Sequence, residues 1–444
     1  MLVILHGWSD TYKSFRPLVR RLREHGLQQP VEEVHLGDYV SLDDEVTFDD
    51  LVEAMQRAWR ERRLPTEPRS VDAIVHSTGG LVIRDWFSRH YAPDTVPLKR
   101  LLMLAPANFG SPLAHTGRSL IGRATKGWRG TQLFETGRHI LKGLELASDY
   151  SVALAQRDWL GPRTWYGPGR ILCTVLTGNT GYSGIAAVAN RPGTDGTVRV
   201  SSANLAAASL DVDFHADPLR PQYRWRSEPA DRIAFGVMDG EDHSSICAKG
   251  NGPRNAATLP AILEALSVDD DGFGAWRERL DGSNAEVMER RNRGRRSHFH
   301  GYQNTVFIVR DQYGREVQDY LIEFYANQDS GQRARRLTRD FQEVVVSNVH
   351  VFKDNPAHRS FLINCRELHR LLDRPDDRLY VSITAYPERN SREVGYRTYG
   401  DEDIGALVLD PAQVRSLFQQ NRTLLATLTL RREQGNSVFR FHDV

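Results

Sequence analysis

The sequence predicts an α/β architecture, a mainly parallel sheet wrapped in helices and carrying a helical cap, followed by a smaller all-β, sandwich-like domain. Two observations carry this expectation. Over roughly the first 265 of the 444 residues, short apolar runs alternate with longer stretches of helical period, the pattern of parallel strands joined by helices. Beyond residue 300 the apolar period shortens to two, and short runs separated by turn-forming clusters point to a β-sandwich.

Residues 2–5 read as a buried strand, 14–25 as a helix and 32–36 as a second strand. Thr47, with Asp50 three residues on, caps a helix whose Leu51, Val52, Met55, Ala58 and Trp59 share one face. Residues 71–75 make a third strand, 79–90 a helix and 101–104 a fourth strand. Between 110 and 168 the alternation stops, and Ile140, Leu141, Leu144, Leu146, Val152, Leu154 and Trp159 fall in roughly helical register, which predicts a helical cap over the sheet. Strands at 170–176 and 233–237 and a helix at 255–266 complete a first domain, 1–267. Residues 268–300 are charged, with arginines at 290, 291, 293, 295 and 296, and read as a linker with one short helix. The second domain, 301–444, then offers strands at 305–309, 320–325, 343–351, 361–364, 379–386, 423–430 and 438–441.

Composition excludes several classes of function. The 58 Lys and Arg balance 57 Asp and Glu, leaving a net charge of +1 and no whole-protein attraction to nucleic acid or anionic membrane. Three scattered cysteines, Cys173, Cys247 and Cys365, exclude a disulfide framework and a cysteine-rich zinc site. The first residues carry neither a cationic leader nor a small-residue cleavage site, and the uncharged stretch 171–190 is too polar to span a bilayer. A protein made in the cytoplasm is therefore expected, with leaderless export as an effector left open.

The chemistry is concentrated in a few segments. Val75-His76-Ser77-Thr78-Gly79-Gly80 stands where a buried strand gives way to a helix. A sharp turn there lifts a serine hydroxyl above the sheet, small neighbours admit the strained backbone, and the helix N-terminus faces a developing oxyanion. His6-Gly7-Trp8 follows the first strand directly, and residues 104–114 read LAPANFGSPLA. Together these segments resemble the HG, HSxGG and GTPHRGSP-like segments of bacterial triacylglycerol lipases and related phospholipases, serine esterases of the α/β-hydrolase superfamily. The resemblance covers residues 1–267 and departs at Val75, where the family usually has glycine, and at Asn108-Phe109, where His-Arg is usual.

That resemblance implies a site. Ser77 is the nucleophile, and in this fold the acid and then the histidine follow it in the chain. Asp195-Gly196, after the strand at 170–176, resembles the segment that carries the family's acid, while Asp213, Asp239 and Asp242 remain alternatives. His243, in the Asp242-His243-Ser244 loop after the strand at 233–237, is the base. By position, the backbone amides of Trp8 and Thr78 form the oxyanion hole, and His6, His76, Phe109, Leu133, Phe134 and Trp159 are the candidate pocket residues. No metal-ligand motif is present, although some lipases of this kind bind calcium near the histidine loop, where Asp239, Glu241 and Asp242 stand here; a solvated acidic turn is the simpler reading. Acyl transfer needs no electron sink, so no organic cofactor is implied.

The expected function is cleavage of carboxylic esters of lipids through an acyl-enzyme, with the second domain docking on a membrane surface or a protein partner. A carboxylesterase or thioesterase acting on a smaller ester, and a hydrolase-fold protein that only binds, stay open as alternatives.

Overall fold

Strand β1 (Leu2–Leu5) is apolar at every position, and all four residues are buried. Such a strand must be covered on both faces, which parallel sheets achieve with helices. The computed structural model describes residues 1–5, 15–40, 45–114, 137–216, 221–227, 230–250, 252–293, 301–326, 332–386, 394–396 and 408–434. These fall into two compact units, 1–206 with 228–300 and 207–227 with 301–444.

In the first unit β1 lies among β2 (Val31–Val34), β3 (Val71–His76), β4 (Leu98–Leu104) and β5 (Leu172–Gly178). Strands β6 (Ala208–Asp213) and β7 (Gln222–Ser227) belong to the second unit, and β8 (Ile233–Met238) returns to the first. The order is β2-β1-β3-β4-β5-β8, with every pairing parallel.

The helices of this unit are α1 (Arg16–Glu24), α2 (Phe48–Glu61), α3 (Gly79–His90), α4 (Arg138–Gly143), α5 (Asp149–Asp158), α6 (Val200–Ala203), α7 (Thr258–Ala265) and α8 (Phe273–Arg293). The capping box expected at Thr47 is formed. Its amide donates to Asp50 Oδ2 at 2.8 Å, and the Asp50 amide donates back to Thr47 Oγ1 at 3.4 Å. The predicted face of α2 is buried, and Trp59 packs on Trp86 of α3 with ring centroids 4.5 Å apart.

Helices α4 and α5, in the insertion, pack against α2 and α3. Phe48 stacks on Tyr150 at 4.0 Å, and a Cβ at Gly143 would meet the Phe48 ring at 2.4 Å, so only glycine allows that approach. Trp159, at the end of α5, is buried against Tyr166. Leu133 and Phe134 lie outside the described residues, as do His6 and Trp8.

The segment expected to be a linker with one short helix instead contains the 21-residue α8. Its Phe273, Trp276 and Leu280 join the core of the first unit. The Trp276 indole donates to Thr174 Oγ1 at 3.1 Å, and Asn284 bonds both the Val237 amide and the Phe235 carbonyl of edge strand β8 at 2.8 Å. The arginines that suggested a linker follow these anchors in the chain, from 290 on.

The second unit is built from β9 (Tyr302–Asp311), β10 (Asp319–Ala326), α9 (Gln332–Asp340), β11 (Val346–Val351), β12 (His358–Asn364), α10 (Cys365–Leu371), β13 (Leu379–Tyr386), β14 (Val394–Tyr396), β15 (Val408–Leu409), α11 (Pro411–Leu417), β16 (Thr423–Leu430) and β17 (Arg432–Gln434). A six-stranded sheet in the order β11-β12-β9-β16-β6-β7 accompanies a three-stranded sheet, β10-β13-β15, and a β14-β17 pair. Residues from both larger sheets share one core, in which Phe307 and Phe361 of the first meet Phe324 of the second. The sheet is mixed because β16 pairs in parallel with both β9 and β6. The β6-β7 hairpin comes from residues 207–227 and so departs from a boundary at 267. The strand expected at 343–351 begins with a π-helical turn, Phe341–Val345, before β11, and the one at 438–441 lies outside the described residues. Among the described residues no helix is long and apolar enough to cross a membrane.

Candidate active site

Ser77 occupies the turn between β3 and α3 with φ at +54°, a left-handed conformation that an L-residue adopts only under constraint. Two backbone bonds supply the constraint: the Ser77 amide donates to Leu104 at 3.2 Å, and the Ala107 amide donates to the Ser77 carbonyl at 3.3 Å. A Cβ at Gly80 would stand 2.9 Å from the Pro106 side chain, so α3 can start this close to the segment after β4 only with glycine. Val75, the departure from the usual glycine, sits inside β3 in ordinary register with Leu5 and Met103. Thr78 is the N-cap of α3, and in the first turn the Gly80 amide donates to the Ser77 carbonyl at 3.2 Å and the Leu81 amide to the Thr78 carbonyl at 3.0 Å.

Three loops of the first unit bring Ser77, His243 and Asp195 into one chain of hydrogen bonds. His243 Nε2 is 3.1 Å from Ser77 Oγ, and its Nδ1 is 3.0 Å from Asp195 Oδ2. Asp195 is fully buried, and its Oδ1 accepts the amides of Thr197 at 2.9 Å and Val198 at 2.7 Å. The His243 amide donates to the Asp195 carbonyl at 2.9 Å, tying the two loops at the backbone as well. The other aspartates have different partners: Asp213 accepts the His215 amide, Asp239 the Asn179 side-chain amide, and Asp242 the Arg254 guanidinium.

Of the residues expected to line a pocket, His76 is placed differently. It is buried, its Nε2 lies 3.0 Å from the His243 carbonyl, and the two rings are 4.6 Å apart. It braces the histidine loop from beneath, because side chains alternate along β3 and Ser77 is the residue that faces out. Phe109 is also buried, with its amide donating to the Ser202 carbonyl.

Two supports escaped sequence reasoning. The Tyr182 ring packs so closely on Gly196 that a Cβ there would lie 2.6 Å from it, and its hydroxyl bonds Thr197 Oγ1 at 2.8 Å. Burial, with the Asp195 charge, pushes the Tyr182 phenol well above its ordinary range. Glu241 is fully buried and accepts the amides of Arg254 and Asn255, the Thr258 hydroxyl and the Ser245 hydroxyl. These donors occupy the carboxylate considered for a cation. Glu241→Ala should strand them and cost about 2–3 kcal/mol of stability, read from urea melts, with Glu241→Gln recovering most of the loss. An alanine variant as stable as the parent would refute this bracing role.

A parallel sheet in this order, with a serine on a strained strand-to-helix turn, defines an α/β-hydrolase of the lipase and phospholipase type. Phospholipase PlaB from Legionella pneumophila is similar over 100% of this chain and 96% of its own, with 25% identity and a TM-score of 0.81. The same phospholipase in complex with thio-NAD gives 24% identity, the same coverage and a TM-score of 0.81. The mature lipase BlEst2 from Bacillus licheniformis covers 60% of this chain and 91% of its own at 17% identity, with a TM-score of 0.36. No protein-family model matches the sequence, and no curated protein matches it. The chain is a carboxylic ester hydrolase.

Proposed function

We propose that the chain is a serine hydrolase that cleaves the carboxylic esters of phospholipids through an acyl-enzyme. The observation that carries this reading is the continuous relay from Ser77 through His243 to Asp195, with links of 3.1 and 3.0 Å. As Ser77 Oγ bonds to the ester carbonyl carbon, its proton passes to His243 Nε2. Asp195, held by two amides, fixes the imidazole tautomer and stabilises the imidazolium that forms. The oxyanion is held by the Thr78 amide and, on the family's pattern, by that of Trp8. His243 then gives its proton to the leaving alcohol oxygen as the carbonyl–oxygen bond breaks, and water repeats the cycle to free the acid.

The phospholipid assignment rests on likeness to PlaB along the whole chain. It predicts release of fatty acid from phosphatidylcholine vesicles and, along a series of p-nitrophenyl esters, a rise in rate once the longer esters aggregate. A steep preference for acetate, with no gain above the micellar limit, would instead assign a small-ester carboxylesterase.

A further inference from the structure

The two larger sheets of the second unit do not close on each other completely. Between them lies a cavity of about 330 Å³, walled by β6, β7, β9 and β16 on one side, β10, β13 and β15 on the other, and by α11. Facing sheets normally interdigitate to close packing. An empty apolar space this large forfeits many contacts and would take a sizeable share of a domain's stability.

The lining limits what can fill it. Leu210, Val381, Ile383 and Ala426 represent its interior, and no Asp, Glu, Lys, Arg or His is among the described lining residues. A charged group inside would have no partner, so the part of an occupant that enters is hydrocarbon. The volume exceeds the ~150 Å³ of apolar cavities that stay dry, and it stands at the low end of the ~300–1,000 Å³ typical of small-molecule sites. A helix about 10–12 Å across does not fit; one extended chain does.

The cavity also has an opening. Tyr223 and Trp225 line it, yet they are 46% and 38% exposed on edge strand β7. Aromatic side chains with one polar end suit a boundary between hydrocarbon and water. Burial pushes the Tyr223 phenol up to about 12, so this rim stays uncharged at neutral pH. Ser416 and Gln413, exposed on α11, add a hydroxyl and an amide to the lining.

We infer that this cavity binds a single long acyl chain, that of a fatty acid or a lysophospholipid, with the head group left in solvent beside Tyr223 and Trp225. The choice of acyl chain rests on the proposed phospholipid reaction, whose two products each carry one such chain.

The test uses the full chain with Ser77→Ala, so that nothing is turned over, and radiolabelled oleate below its micellar limit in equilibrium dialysis. One oleate should bind per chain. Ser416→Trp, which plugs the mouth from an exposed position, and Ala426→Phe, which fills the interior, should each weaken binding by more than about tenfold, the loss expected when two methylenes are denied burial. The same two substitutions with Ser77 intact should leave p-nitrophenyl butyrate turnover within about twofold, which also shows that they fold. Displacement of oleate by lysophosphatidylcholine would show that the chain alone is read, whereas failure to displace would confine the site to the free acid. Absence of saturable binding, or binding unchanged in both filled variants, would overturn the inference. If the filled variants lose oleate while wild type does not hydrolyse phosphatidylcholine, the cavity assignment stands and the phospholipase reading falls.

Discussion

Ser77→Ala will lower turnover of a soluble ester such as p-nitrophenyl butyrate by about a million-fold, leaving only what binding and oxyanion stabilisation supply. The loss is large because a nucleophile, its base and the base's orienting acid act as one unit. For the same reason Asp195→Asn should cost about ten-thousand-fold even though its shape is kept. A carboxylate can only accept from His243 Nδ1, so Nε2 is left free to take the Ser77 proton. A carboxamide also accepts the Thr197 and Val198 amides through its oxygen and then turns its NH2 toward Nδ1, favouring the wrong tautomer. The double variant should be no slower than Ser77→Ala alone. Steady-state kcat/KM and fluorophosphonate labelling of Ser77 read both effects, with thermal melts showing that each variant folds. Turnover by Ser77→Ala at a tenth of the parent rate would remove Ser77 from the mechanism.

The residues proposed to react each sit in a turn that the sequence marks locally, and the structure brings the three together. Ser77 is followed by Thr78-Gly79-Gly80, and Gly80 is demanded by the 2.9 Å approach to Pro106. Asp195 precedes Gly196, whose φ of +101° favours glycine. What supports these groups was not legible, because it is made of contacts distant in sequence. Nothing near Glu241 says that its carboxylate will collect donors up to Thr258, and nothing near Tyr182 says that its ring will close over Gly196. His76 shows the limit of motif reading: it adjoins Ser77 in the chain, yet its ring is buried with Nε2 on the His243 carbonyl.

The same contrast separates the two units. Parallel strands buried on both faces read as apolar runs, so β1, β3 and β4 were found close to their true positions. Helix α8 was hidden because it anchors through Phe273, Trp276, Leu280, Val287 and Met288, spaced too widely among charges to make a continuous apolar stripe. The β6-β7 hairpin could not be assigned from sequence, since β6 pairs with β16 across nearly half the chain, and no local pattern states a partner. The void lined by that hairpin, β16 and the facing sheet was equally invisible.

Breaking the buried ion pair between Arg84 and Asp158 by Arg84→Met should destabilise the chain by about 3–5 kcal/mol. Both side chains are fully buried, and the guanidinium grips the carboxylate with two bonds of 2.7 and 2.8 Å. Burial pushes the Arg84 guanidinium down more than any single neighbour raises it, but the charge and hydrogen bonds of Asp158, with those of Tyr166, together hold it above its ordinary value. Removing the arginine leaves Asp158 with a hydrogen bond from the Tyr166 hydroxyl, at 2.5 Å, but without the guanidinium that neutralised it. The cost therefore comes mainly from the stranded carboxylate, which makes a second variant decisive. Arg84→Met with Asp158→Leu should recover most of the loss, because an apolar pair of similar volume needs no desolvation. Urea melts of the two singles and the double close the cycle, and a double variant as unstable as the sum of the singles would refute the argument. Arg84 lies on α3, five residues beyond Thr78's neighbour Gly79, and its Nη1 also reaches Asn108 Oδ1 at 3.2 Å, next to the Ala107 amide that pins the Ser77 carbonyl. Arg84→Met should accordingly slow ester turnover as well as lower stability, while the double variant regains stability without regaining the Asn108 contact, so that its rate stays below the parent's.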